Sequence, residues 1–197
     1  QPWTEPEDGK LDMGAVVAAY AGRVAADAAF VMDAGNFSGW LHKHFVFKPD
    51  NLIIGCIGGA MGIAMPAAVA AGLRMPDRQI ITWIGDGGML MTGAELATAV
   101  QRRVPVKVFV SSNGSFGTIR MHQARSYPGR NHGTDIANPD FAKWAESFGA
   151  IGLTIRTIAE APAVVEQALA AKGPVVVDVR TDVDHIAPGL TLASLER

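Results

Sequence analysis

Apolar residues in this chain gather into two kinds of run, and the two kinds alternate. Long, alanine-rich runs at 11–27, 60–75, 93–103 and 159–173 read as helices, because small and unbranched side chains lose little freedom on a helix. Runs of five to seven residues at 29–33, 51–56, 79–85, 106–112, 150–155 and 174–180 are richer in valine and isoleucine and almost continuously apolar. That pattern marks strands buried on both faces rather than one. A further helix is expected over 139–149, with Asn138 as its cap and Pro139 at its first position. Thr92 and Glu95 carry the T-x-x-E spacing of a capping box at the start of the 93–103 helix. Segments 34–40 and 111–135, rich in glycine and polar residues, read as loops. Six strands separated by helices give an α/β fold, a doubly wound, mainly parallel six-stranded sheet with helices on both faces.

Composition narrows this little. The 197 residues suffice for one domain with a full core, and a half-hydrophobic chain with 18% charged residues is a compact one. A net charge of −2 gives no general attraction to nucleic acid or to an anionic membrane, and no apolar run approaches the length of a membrane span. Cys56 is the single cysteine, which excludes an internal disulfide and leads us to expect a reducing, cytoplasmic compartment. The polar opening QPWTEPEDGK reads as a linker, 1–10, ahead of a domain at 11–188 and a tail at 189–197. The chain is expected to be a piece of a longer protein.

In doubly wound sheets ligands bind beyond the carboxyl ends of the strands. Four glycine-rich segments fall at those ends, and bare backbone amides there suit an anion of the phosphate type. The third contains WIGDGGML, in which Asp86 closes an apolar run between glycines, and the fourth begins SSNGSFG, with Asn113 27 residues after Asp86. Asp-Gly and Asn-Gly are each common turn dipeptides. On consecutive strand ends, however, they offer a carboxylate and an amide oxygen to one hard cation, with the Ser115 carbonyl as a third donor. Gly87 and Gly88 would let phosphate oxygens approach.

The G-D-G at 85–87, followed by Asn113, resembles the thiamin diphosphate signature. From about Met13 to Pro188 the sequence looks like the C-terminal cofactor domain of the acetolactate synthase group, whose relatives include benzoylformate decarboxylase, benzaldehyde lyase and glyoxylate carboligase. The resemblance implies Mg²⁺ on Asp86, Asn113 and the Ser115 carbonyl. It implies diphosphate contacts from Gly35 and Asn36 and a cofactor-binding place for Gly87, Gly88, Asn113 and Gly117. Gly59 would accept from the aminopyrimidine, and Met61 would wedge the cofactor into its bent shape, although a methionine fills core gaps anywhere. Phe37 stands where the family often has histidine. Thr118 and His122 stand where acetolactate synthases usually have methionine and tryptophan, so the substrate region departs from the pattern.

No catalytic residue is assigned. The glutamate that activates the cofactor lies, in that family, on a pyrimidine-binding domain of a neighbouring subunit. Here Glu95 reads as a cap, Glu146, Glu160 and Glu166 fall on later helices, and Glu5, Glu7 and Glu196 lie near the termini. The resemblance therefore implies one domain of a homodimeric or homotetrameric enzyme that decarboxylates a 2-oxo acid and joins it to a second carbonyl. Alternatives are a simple decarboxylase of the benzoylformate decarboxylase type and a remnant that has lost its cofactor. An NAD-binding domain is disfavoured, since GCIGGAMG lacks a correctly spaced G-x-G. Whether FAD is bound elsewhere is open. Arg120, His122, Arg125, Arg130 and His132 read as a solvated basic lid, and Cys56 as a buried, inert thiol.

Overall fold

The computed structural model describes residues 1–195; Glu196 and the end of the expected tail lie outside the described residues. The chain runs α1 (Gly14–Ala19), β1 (Ala29–Met32), α2 (Ser38–His44), β2 (Leu52–Gly55), α3 (Ala64–Arg74), β3 (Ile80–Gly85), α4 (Asp86–Thr92), a 3-10 turn (Gly93–Glu95) and α5 (Leu96–Gln101). It continues with β4 (Lys107–Ser111), α6 (Gly117–Ser126), α7 (Phe141–Ser147), β5 (Ile151–Ile155), a 3-10 turn (Ile158–Glu160), α8 (Ala161–Ala170) and β6 (Val175–Val179). A two-stranded antiparallel ribbon, β7 (His185–Ala187) and β8 (Leu190–Thr191), and α9 (Leu192–Leu195) close the described chain.

Six strands form one sheet in the order β2-β1-β3-β4-β6-β5, and every pairing is parallel. Side chains alternate across it. Phe30, Ile81, Trp83, Phe109 and Val177 face α1 and α8, while Ala29, Val31, Ile84, Val108 and Val176 face α3, α5 and α7. On the first face Trp83 donates from Nε1 to the Tyr20 hydroxyl at 2.8 Å, which satisfies both polar tips inside the core. The outer strands differ from the central ones, for β2 is largely exposed and β5 half so. Their apolar runs look like those of the buried strands because burial depends on position in the order, which a run does not encode.

Strand order reverses between β1 and β3. The chain leaves β1 toward β2 on one side, then returns to build β3 on the other. Loops leaving β1 and β3 therefore diverge and open a crevice at the carboxyl edge.

Several local expectations change. The end of segment 34–40 becomes the start of helix α2, and residues 117–126 of the long loop become α6. Helix 11–27 shrinks to the six residues of α1. Thr92 makes no cap to its turn; its hydroxyl donates instead to the Gly62 carbonyl at 2.7 Å, and Glu95 accepts from the Thr98 hydroxyl. The capping box lies at Thr157 and Glu160. Helix α7 is capped by Asp140, whose side chain accepts from the Lys143 amide at 3.0 Å, so Asn138 and Pro139 precede it. Cys56 is partly exposed, not buried.

Helix α7 lies directly on β5 at Gly152, where a Cβ would come within 2.1 Å of the Ala142 carbonyl oxygen. Backbone cannot yield there as a side chain would. We expect Gly152→Ala to lower unfolding free energy by about 2–3 kcal/mol in urea titration. Gly173→Ala, whose Cβ would meet nothing within 4 Å, is the control and should change it by less than about 0.5 kcal/mol.

Candidate functional site

Asp86 follows β3 and begins α4, buried beneath the crevice. Its Oδ1 accepts from the Gly87 amide at 2.8 Å. Its Oδ2 accepts three bonds, from the amides of Asn113 (3.1 Å) and Gly114 (2.8 Å) and from Asn138 Nδ2 (2.8 Å). Burial raises the carboxyl pKa, and these four donors pull it back. Oδ1 thus keeps lone-pair capacity that Oδ2 has spent.

The segment after β4 is arranged around this carboxylate. Asn113 Oδ1 accepts from the Ser115 amide at 3.0 Å. Beyond it, Gly114 O accepts from the Ile136 amide at 2.8 Å and the Phe116 amide donates to Thr134 O at 2.8 Å, an antiparallel bridge that pairs Ser115 with Asp135. In a trans peptide the carbonyl opposes the following N–H. Since the Phe116 amide points at the 134–136 strip, the Ser115 carbonyl points away from it, to the side from which the Ser115 amide meets Asn113. Positive φ at Gly114 makes the sharp turn possible.

A second buried acid, Asp33, stands just past β1. Its Oδ2 accepts from the Gly62 amide at 2.8 Å and its Oδ1 from the Ile63 amide at 3.1 Å, which fastens the 56–63 loop to the sheet. Gly88 allows this, for a Cβ on it would lie 2.0 Å from Asp33 Oδ2. Glycines here make room for protein groups. A Cβ on Gly87 would meet the Phe116 ring at 2.6 Å and the Met61 methyl at 3.0 Å, and one on Gly35 would meet the Phe37 ring at 2.3 Å.

Gly35, Asn36, Met61, Asp86, Gly87, Gly88, Asn113, Ser115 and Gly117 all line one cleft at the switch point. Gly59 does not; it is exposed in a turn, its amide bonded to Cys56 O at 3.2 Å. Thr118 on α6 accepts from the Asn36 amide at 3.2 Å and ties the first loop to the fourth. Of the basic cluster, Arg120 pairs with Asp135 at 2.7 Å and Arg130 stacks over Tyr127, while His122, Arg125 and His132 are exposed.

Sequence reasoning missed Asp33, Asn138, Asp12 and His185. Asp12, buried at the cleft edge, accepts from the Gly14 amide at 2.7 Å and has its pKa raised by burial. His185 reaches the same cleft from β7, with Nε2 2.9 Å from Asp8. Asp33 could have been found by the rule that found Asp86, an acid closing an apolar run.

Comparison with known proteins bears on the family. Residues 33–179 match the model for "Thiamine pyrophosphate enzyme, C-terminal TPP binding domain". An acetolactate synthase of Bacillus subtilis is 33% identical over 151 residues, 76% of this chain and 26% of that protein. One of Mycobacterium bovis is 34% identical over 178 residues, 87% of this chain and 29% of that protein. A solved thiamine diphosphate-dependent 4-hydroxybenzoylformate decarboxylase of Rhodococcus jostii RHA1 superposes with a TM-score of 0.82 at 28% identity, over 92% of this chain and 34% of that one. The chain therefore spans about a quarter to a third of these relatives.

Asp33 and Gly88 generate a paired expectation. Asp33→Ala frees the Gly62 and Ile63 amides, and Gly88→Ala displaces the same carboxylate. Both should speed hydrogen exchange across residues 59–63 by about tenfold or more, as lost local bonds do. Unchanged exchange in Asp33→Ala would show that the loop is held by something else.

Proposed function

The chain belongs to the C-terminal thiamine pyrophosphate-binding domain family, and from that premise we propose that it holds the diphosphate and Mg²⁺ end of a thiamin diphosphate-dependent enzyme acting on 2-oxo acids. The observation that carries this reading is the donor set at Asp86. One carboxylate oxygen with spare capacity, the Asn113 amide oxygen and the outward Ser115 carbonyl are hard oxygens on adjoining strand ends, as Mg²⁺ prefers. Phosphate oxygens and water complete such a shell. The cleft above it fits a bent, partly apolar cofactor, since Met61, Phe116, Ile119 and Ile186 line it beside Gly35, Asn36 and Gly87.

When bound, thiamin diphosphate supplies a carbon nucleophile that adds to the 2-oxo group and takes up the electrons left as carbon dioxide departs. This chain's own residues bind and orient. Asp86 would compensate charge, the first and third loops would flank the diphosphate, and Met61 would supply an apolar wall. Acetolactate-type carboligation is the favoured outcome because the relatives named acetolactate synthase match most of the chain. The decarboxylase superposition keeps plain decarboxylation as a second reading.

The base that activates the cofactor belongs to another domain. Among the described residues no glutamate lines the cleft. Ile57, Met61, Ile63, Leu90 and Met91 are exposed on the 57–63 loop and α4 beside it, an apolar surface suited to a pyrimidine-binding domain of a neighbouring subunit in a homo-oligomer. No helix among the described residues is long and apolar enough to cross a membrane. A domain at 11–188 between a linker and a tail, in a cytoplasmic enzyme, completes the proposal.

Calorimetric titration with thiamin diphosphate in Mg²⁺ tests the site. Wild-type chain should bind, and Asp86→Ala should lose at least about tenfold in affinity, the carboxylate being the single charged ligand. Equal binding by the two refutes the assignment.

A separate assay tests the missing base. The chain with saturating thiamin diphosphate and Mg²⁺ should release no carbon dioxide from pyruvate above a cofactor-only control. Release abolished by Asp12→Asn would instead place the base in this chain, since Asp12 is the other carboxyl in the cleft.

A further inference from the structure

The first loop of the cleft is stitched to α6 through one residue. The Asn36 amide donates to Thr118 Oγ1 at 3.2 Å, and Asn36 Nδ2 donates to Met121 Sδ at 3.2 Å. Residues three apart on a helix are neighbours, so Thr118 and Met121 meet the loop on one face of α6. The Asn36 carbonyl is taken as well, by the Gly39 amide at 2.9 Å. Asn36 has therefore given its backbone hydrogen to the protein, although the family resemblance assigns it a diphosphate contact.

Thr118 comes out of this exchange with a hydrogen to spare. A hydroxyl has one hydrogen and two lone pairs, and the Asn36 amide occupies a lone pair. The hydrogen cannot point back at that amide, since two donors would then face each other. A helical threonine can turn it to the carbonyl three or four residues earlier, here Ser115 or Gly114. Neither accepts it: among the described residues the Thr118 hydroxyl donates to no group, and Gly114 O is taken by the Ile136 amide at 2.8 Å. What remains open is the cleft, which Thr118 lines between Gly117 and Ile119. That wall is the start of α6, whose first-turn amides have no partner within the helix and receive no side-chain cap from Phe116. Asn113 adjoins it, with Nδ2 3.2 Å from where a Cβ on Gly117 would lie.

We propose that the Thr118 hydroxyl is a hydrogen-bond donor to the diphosphate, held in place by the Asn36 amide and standing in for it. This rests on the diphosphate and Mg²⁺ reading of the site given above. The acceptor such a hydroxyl fits is an anionic oxygen, which the carboxylate of a 2-oxo acid also carries. The diphosphate is assigned because Thr118 follows Gly117, and Gly117 adjoins Asn113 of the metal donor set. An amide is fixed by its peptide plane, whereas a hydroxyl turns about its C–O bond. One side chain thereby ties two loops together and still follows the oxygen it binds.

The test measures thiamin diphosphate affinity by calorimetry in Mg²⁺, with no 2-oxo acid present, for wild type, Thr118→Ser, Thr118→Val, Thr118→Asp and Asp86→Ala. It also records the two ³¹P resonances of the bound cofactor. Thr118→Val should bind about tenfold more weakly, as loss of a hydrogen bond to a charged group does. Thr118→Ser keeps the hydroxyl and should stay within about threefold of wild type. Thr118→Asp still accepts from the Asn36 amide but has no hydrogen to give, so it should bind at least as weakly as Thr118→Val. One ³¹P resonance should move in Thr118→Val and neither in Thr118→Ser. Wild-type affinity in Thr118→Val, with binding lost in Asp86→Ala, would overturn the proposal and leave the cofactor site standing. Weak binding by Thr118→Val beside wild-type binding by Thr118→Asp would overturn it too, by showing that Thr118 serves only to anchor the Asn36 loop. So would unmoved ³¹P resonances in Thr118→Val, or Thr118→Ser as weak as Thr118→Val. If wild type itself fails to bind, the reading of the site falls and this proposal with it.

Discussion

A buried carboxylate must find donors or lose its charge, and the carboxyl edge of this sheet is built around that demand at Asp86. Only 3% of Asp86 is exposed, and its four donors come from three stretches of chain: the first turn of α4, the turn after β4, and the approach to α7. One side chain thereby fixes where three segments meet. Asp33 does the same for the 56–63 loop, with two backbone amides as its partners. Each acid closes a strand, where the parallel ladder stops and amides of the following loops are free to turn inward. The glycines beside them follow from this, since Gly88 and Gly114 let backbone and carboxylate approach closely enough to bond.

That logic separates what could be read in the chain from what could not. The sheet was legible because six nearly continuous apolar runs can be buried on both faces only in a covered parallel sheet, and Asp86 and Asn113 stood out because polar residues closed two of those runs. Position in the sheet was not legible, and β2, as apolar as its neighbours, lies exposed at the edge. The helices α2 and α6 were hidden by glycine and polar residues that usually mark loops; they form because Thr118 and the 134–136 strip hold their starts. Thr92 and Glu95 have the spacing of a capping box, but the Gly62 carbonyl competes for the hydroxyl and wins at 2.7 Å.

Asn138 shows the limit most clearly. Asn-Pro-Asp ahead of an apolar run satisfies the rules for a helix start with Asn138 as cap, yet Asp140 does that work and Asn138 turns to Asp86. Local rules weigh a side chain against its own backbone. They cannot weigh it against a buried carboxylate 52 residues away, which offers a charged acceptor and therefore the stronger bond.

The same lacing joins the cleft to the surface beside it. Met61 stands in the wall of the cleft, and Ile57 and Ile63 flank it on the loop that Asp33 holds. Leu90 and Met91 belong to the helix that Asp86 begins, and the loop packs on that helix through Gly62, where a Cβ would lie 3.2 Å from Met91. Exposed apolar side chains on a mobile loop would be free to collapse onto the cleft. Held by two backbone bonds to Asp33 and one from Thr92, they are kept apart from it and turned outward. The carboxylates that order the interior of the site thus also set the shape of its apolar rim, so a change at either one is felt on both sides of the loop.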